Sequence, residues 1–130
     1  MDKFFTTTEV FAMNWQSISE VEIWNSINEC YARMSQTQKR LWDVIKITPE
    51  KWDQNPWGAP GNGFWAVAII GDCVIWYNDI ELGFNRSKYL TFGEIEEYFC
   101  NQDNLEEVVQ YVINEIQDGC DAAPRCSPPL

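Results

Sequence analysis

Carboxylates are the groups in this chain whose spacing could support chemistry. Asp79 and Glu81 lie two positions apart at the end of the run Val74-Ile75-Trp76-Tyr77-Asn78-Asp79-Ile80-Glu81, and Asp72 stands just before it. Residues two apart on a strand share a face, so Asp79 and Glu81 are expected to point the same way. Paired carboxylates run acid–base chemistry or hold Mg²⁺ or Ca²⁺. One expectation is therefore a small metal-dependent enzyme or ligand-binding domain using Asp72, Asp79 and Glu81. The competing expectation is structural. Asn and Asp just past a buried strand satisfy free backbone groups at the turn, so the polar switch at Asn78-Asp79 would mark the strand leaving the core.

A second acidic group is Glu94, Glu96 and Glu97, with Tyr98 next in the chain. If residues 94–98 run as a strand, Glu94, Glu96 and Tyr98 project together. Aromatic anchors inside a charged rim are how tight protein interfaces are built. Trp57, in the Gly/Pro-rich stretch Asn55-Pro56-Trp57-Gly58-Ala59-Pro60-Gly61-Asn62-Gly63, is a further candidate anchor, with burial in the core as its alternative. The Gly-Asn-Gly of that stretch lacks the Lys-Ser/Thr of a phosphate loop and reads as a connector.

The overall charge agrees with such a face. Twenty acidic residues against nine basic ones give −11. The excess sits in the second half, where residues 61–130 hold 12 acids and 3 bases. A basic footprint for DNA or RNA is absent, and opposed charge speeds association with a basic protein. Histidine is absent altogether, which removes Ser-His-Asp and Cys-His catalysis from within the chain. The five cysteines (Cys30, Cys73, Cys100, Cys120 and Cys126) include no C-x-x-C pair, so a zinc site is not expected. Cys120 and Cys126 are close enough in sequence to pair. No signal-peptide pattern opens the sequence and no apolar run reaches membrane-spanning length. The expectation is a cytoplasmic protein with reduced thiols, no cofactor, and no nucleic-acid or membrane partner.

Elements that would position these groups follow from capping and periodicity. Ser17 to Glu20 and Ser19 to Glu22 are overlapping capping boxes. Ile23, Ile27, Cys30, Tyr31 and Met34 then recur at helical spacing, predicting a helix over about 19–34. Residues 41–47 are expected as a strand, with a helix ending near Ile45 as the alternative. Thr48-Pro49-Glu50 predicts a short helical turn carrying Trp52. Phe64–Ile70 is apolar on both faces, as in a strand covered on both sides. Gly71-Asp72 suits a type II′ turn into a partner strand over 73–77. An edge strand is expected over 83–90 and a strand over 94–98, with a short helix as the alternative for the latter. Asp103 to Glu106 is a further capping box, and Leu105, Val108, Val109, Val112, Ile113 and Ile116 form a stripe on a helix over about 104–117. Gly119 supplies its stop. The fold class is α+β: a mostly antiparallel sheet of about four strands packed with an N-terminal and a C-terminal helix. Residues 1–118 would form one domain and 119–130 a flexible tail.

The run Gly63-Phe64-Trp65-Ala66-Val67-Ala68-Ile69, the strand end Trp76-Tyr77-Asn78-Asp79-Ile80-Glu81 and the acidic C-terminal half resemble the small acidic immunity proteins that bacteria make against their own toxins. Such proteins are often single α+β domains that plug a toxin's active site. The resemblance implies a non-enzymatic protein that neutralises a basic toxin through an acidic surface. The charge and pattern of the residues themselves put that surface at Asp79, Glu81, Glu94, Glu96, Glu97, Tyr98 and Trp57.

Overall fold

The structure, a computed structural model, describes residues 15–128. Its elements are α1 (Glu20–Arg33), α2 (Gln36–Ile45), β1 (Lys46–Trp52), β2 (Phe64–Ile70), β3 (Cys73–Asn78), β4 (Gly83–Lys88) and α3 (Leu105–Asp118). The four strands form one antiparallel sheet in the order β1-β2-β3-β4. Three helices, two before the sheet and one after it, complete an α+β domain. Among the described residues no helix is long and apolar enough to cross a membrane.

Helix α1 starts as the sequence implies, with Ser19 and Glu22 exchanging capping bonds. The neighbouring Ser17 box is not used, because the Ser17 hydroxyl bonds Asp79 instead. The segment expected as a strand at 41–47 is helical through Ile45. Its own capping box, Ser35 with Gln38, starts α2, and Trp42 and Ile45 are buried three apart while Val44 is exposed. That is helical spacing, not alternation. The helical turn expected at Thr48-Pro49 is also absent, since β1 runs through it to Trp52. Proline is tolerated there because β1 is an edge strand and its register slips between Lys46 and Glu50.

The β2–β3 hairpin turns on Gly71 at φ +59, with Ile70 paired to Cys73. A register shift between Ala66 and Ala68 inserts Val67 as a bulge. The bulge lets the adjacent Val67 and Ala68 both join one core, while Phe64 and Ala66 belong to the other. The sheet thus has two apolar faces. One packs Ile75 and Phe84 against Ile23, Ile27, Val108, Val109 and Val112 of the helices. The other packs Trp52, Phe64 and Trp76 against Ile95 and Tyr98, which come from a segment without regular structure.

That segment corrects another expectation. Residues 94–98 form no strand. A single parallel bridge joins Asp53 to Glu94, held by Asp53 N–H to Gly93 O and Ile95 N–H to Asp53 O, both 2.8 Å. Ile95 and Tyr98 turn inward, leaving Glu94, Glu96 and Glu97 exposed. Further on, α3 is capped one residue later than Asp103, with Asn104 N–H donating to Glu107 at 3.3 Å. Glu106 is instead ion-paired to Arg33. Gly119, at φ +76, ends the helix.

Three buried polar side chains tie the irregular segments to the sheet, and a fourth, Gln54, braces the loop after β1. Asn78 donates to Phe99 O at 3.0 Å, Ser87 to Glu97 O at 2.7 Å, and Asn85 to Asn101 O at 3.0 Å, receiving Asn101 N–H in return at 2.9 Å. Gln54 accepts from Trp57 N–H at 3.3 Å. Loop backbone buried against a sheet has no ladder partner, so side chains must supply one.

Candidate acidic docking site

The two acidic groups singled out by sequence have different fates. Strand β3 ends at Asn78, and the chain turns through residues 79–82, with Leu82 at φ +60. Asn78 Oδ1 accepts from the N–H groups of Ile80 and Glu81, both at 3.1 Å. The shared strand parity expected for Asp79 and Glu81 is therefore lost. Asp72 sits at the opposite end of the six-residue β3, roughly 20 Å away at strand rise, so the three carboxylates do not share a site.

Asp79 is only 6% exposed. Its Oδ2 accepts from Ile18 N–H at 2.8 Å and from the Ser17 hydroxyl at 3.1 Å. The Lys51 ammonium donates to Ser17 Oγ and to the carbonyls of Gly61 and Gly63 at 3.2 and 3.3 Å. It also lies 5.0 Å from the centre of the Trp65 ring. Burial raises the Asp79 carboxyl, against the lowering pull of the Ile18 bond and of Lys51. Burial likewise lowers Lys51, against the raising pull of Asp79. Desolvation outweighs attraction for both groups. Asp79 thus anchors the chain before α1 to the end of β3 and presents no charge to a partner. Glu81 is half-buried, and its carbonyl accepts from Gln102 at 3.0 Å.

Glu94 and Glu96, in contrast, come together with Asp53. The three line an open recess of about 210 Å³ with Gln54, Asn55 and Ile95. The Asp53–Glu94 bridge positions two of the acids, and the inward turn of Ile95 puts Glu94 and Glu96 on its rim. Among the described residues, no ion pair joins these three carboxylates to a cation. Glu97 hangs at the end of β4, where its carboxylate accepts from Lys88 N–H at 3.4 Å.

The aromatic residues near these acids in the chain do not take the expected roles. Tyr98 is 8% exposed and stacks on the half-buried Trp57 at 5.1 Å. It is an internal support, and its burial raises the phenol. The exposed aromatic is Phe92, 65% accessible, tilted against Trp52 at 4.9 Å. The same indole donates to Glu50 at 2.9 Å, and Leu90 nearby in the chain is also exposed. Sequence reasoning missed Asp53, Glu50 and Phe92. Asp53 was hidden by the helical turn expected around Trp52. Phe92 falls between the two segments expected as strands, 83–90 and 94–98. The spacing of Glu50 and Trp52, two apart and so on one face of a strand, was the available signal.

A second concavity, about 440 Å³, lies between α1, α2 and the start of β1. Trp24, Tyr31 and Trp42 line it, with the Asp43–Lys46 ion pair at its edge. Within it the Tyr31 hydroxyl donates to Asp43 at 3.3 Å. Among the described residues, no group of three His, Cys, Asp or Glu side chains is placed to hold a metal ion. Comparison with protein-family models, with curated proteins and with solved structures gave no match.

Proposed function

We propose that this chain is a non-enzymatic binding protein that docks a basic protein partner on the recess formed by Asp53, Glu94 and Glu96. The supporting observation is the convergence of three carboxylates, unpaired to any cation among the described residues, with exposed Phe92 two positions before Glu94 in the chain. Free carboxylates create a field that steers a cationic surface and raises the rate of encounter. Phe92 supplies the apolar anchor that charge alone lacks. In its most concrete form this is the immunity reading, in which the acidic rim stands in for the phosphates that a basic nuclease toxin expects.

The rim carrying this role is Glu94, Glu96 and Asp53, with Glu50 beside Trp52. Asp79, Glu81 and Tyr98 act behind it as structural groups. The test is charge reversal. Glu94→Lys with Glu96→Lys should slow association with the partner at least tenfold and flatten its salt dependence. Association and affinity unchanged from wild type would remove the recess from the proposal.

A further inference from the structure

The C-terminal residues bring together two cysteines far apart in sequence. Cys126 Sγ lies 3.2 Å from Cys100 Sγ, 26 positions away in the chain. The backbones are joined as well, with Cys100 N–H donating to Cys126 O at 2.8 Å. Asn101 Nδ2 donates to Pro124 O at 3.0 Å, and its Oδ1 accepts from Cys126 N–H. Arg125 lies 5.3 Å from the centre of the Phe99 ring and pairs with Asp121 at 2.6 Å. Asp121 in turn pairs with the buried Arg86 of β4. The residues after α3 are thus laid along 99–101 and held there independently of the sulfurs.

We propose that Cys100 and Cys126 form a thiol modification site, converted to an intramolecular disulfide by a low-molecular-weight disulfide such as oxidised glutathione. Backbone and side-chain bonds on both sides hold the two sulfurs adjacent, so closing the bond needs little rearrangement. The sequence had suggested Cys120 as the partner of Cys126. Cys120 is exposed and makes none of these contacts, whereas Cys30 is in the core.

Cys126 is exposed and Cys100 half-buried, which orders the steps. The Cys126 thiolate attacks one sulfur of the small disulfide, forming a mixed disulfide and releasing one small thiol. Cys100 then loses its proton to solvent and attacks Cys126 Sγ, expelling the second small thiol. Two protein thiols are oxidised to one disulfide, and one small disulfide is reduced to two thiols. Burial, followed by the contact with Cys126, pushes the Cys100 thiol up to about 12, in keeping with its role as the second, resolving thiol.

The new bond would close a loop containing all of α3. Loop closure restricts the unfolded chain, and for a loop of this size the melting temperature should rise on the order of 10 °C. The experiment is incubation of the purified protein with oxidised glutathione, alkylation of remaining thiols, and peptide mapping by mass spectrometry. The expected result is a Cys100–Cys126 cross-linked peptide with Cys30, Cys73 and Cys120 alkylated. Melting temperature should rise in wild type and in Cys120→Ser, but not in Cys126→Ser, and should fall back on reduction. A stable glutathione adduct on Cys126 with Cys100 alkylated, or a Cys120–Cys126 peptide, would overturn the proposal. So would a cross-link that leaves the melting temperature unchanged.

Discussion

The two faces of the sheet are closed by different means. On one, two helices lay down aliphatic rows, Ile23 and Ile27 from α1 and Val108, Val109 and Val112 from α3, and α2 adds Trp42 and Ile45. Their backbone groups are already satisfied within each helix, so these rows pack by apolar contact alone. On the other face the cover is irregular chain, and it closes with large rings: Trp15 on Phe64 and Trp57 on Tyr98, each at 5.1 Å. Loops present no regular ridges, so a few aromatics with large areas do the covering. Loops also carry unpaired backbone groups, and Asn78, Asn85 and Ser87 meet them from the sheet side, while Gln54 meets one from within the loop. On the helical face the buried charge is Arg86 of β4, paired to Glu115 of α3 at 2.8 Å, whereas the loop face interleaves packing with several polar ties. Its outer rim therefore carries Asp53, Glu94 and Glu96 close to a rigid base.

Mutations can break this contrast. The largest expected effect is Trp76→Ala, which removes a fully buried ring that contacts Phe64 and Tyr98 and donates to Ser87 at 3.0 Å. Urea unfolding should show a loss of about 3–5 kcal/mol. Asn85→Ala should cost about 2–4 kcal/mol, since it strands Asn101 N–H and Asn101 O together. On the helical face, Val109→Ala removes only apolar contact and should cost less than Asn85→Ala. If it costs as much, the loop face does not depend on its polar ties.

Asp79 sharpens the contrast through pH. Asp79→Ala should lose about 2–4 kcal/mol by leaving Ile18 N–H and Ser17 without their acceptor. Asp79→Asn keeps one acceptor and should lose less. Folding raises the Asp79 carboxyl above its unfolded value, so the folded state binds that proton more tightly. The resulting stability is fully present below the unfolded value, about 3.9, and is lost as pH rises through the folded one. Lowering pH through the carboxylate range should therefore shift the stability difference between wild type and Asp79→Asn in favour of wild type. A difference independent of pH would mean that Asp79 is no more protonated in the folded state than in the unfolded chain. The smallest effect on stability should be that of Glu94→Lys with Glu96→Lys. Both positions are exposed, and the melting curve should move by less than about 0.5 kcal/mol.

Much of the fold was legible because its signals are local. The Ser19–Glu22 capping box, the stripe from Leu105 to Ile113 and the Gly71-Asp72 turn each specify an element from neighbouring residues. The misreadings arose where tertiary context decides. Leu41–Ile47 has β-rich composition, yet Ser35 and Gln38 cap it as a helix whose Trp42 and Ile45 fill the core. Pro49 looked like a helix start because the edge position of β1 cannot be read from the chain. The site was half legible. Glu94 and Glu96 were identified by charge, but their partner Asp53 lies some forty residues earlier and meets them only through the parallel bridge. The structural role expected for Asn78-Asp79 at the strand end is seen, since both accept backbone N–H groups, but nothing local reveals that the groups closing over Asp79 are Ser17, Ile18 and Lys51.

The most direct test of the docking account is a paired capture from native lysate. Wild type and the Asp53→Lys, Glu94→Lys, Glu96→Lys variant, changed at three exposed positions, would be immobilised side by side at low and moderate salt. The account predicts a basic protein retained by wild type, weakened by salt and missing from the reversed variant. Equal retention by both, with the same response to salt, would contradict it.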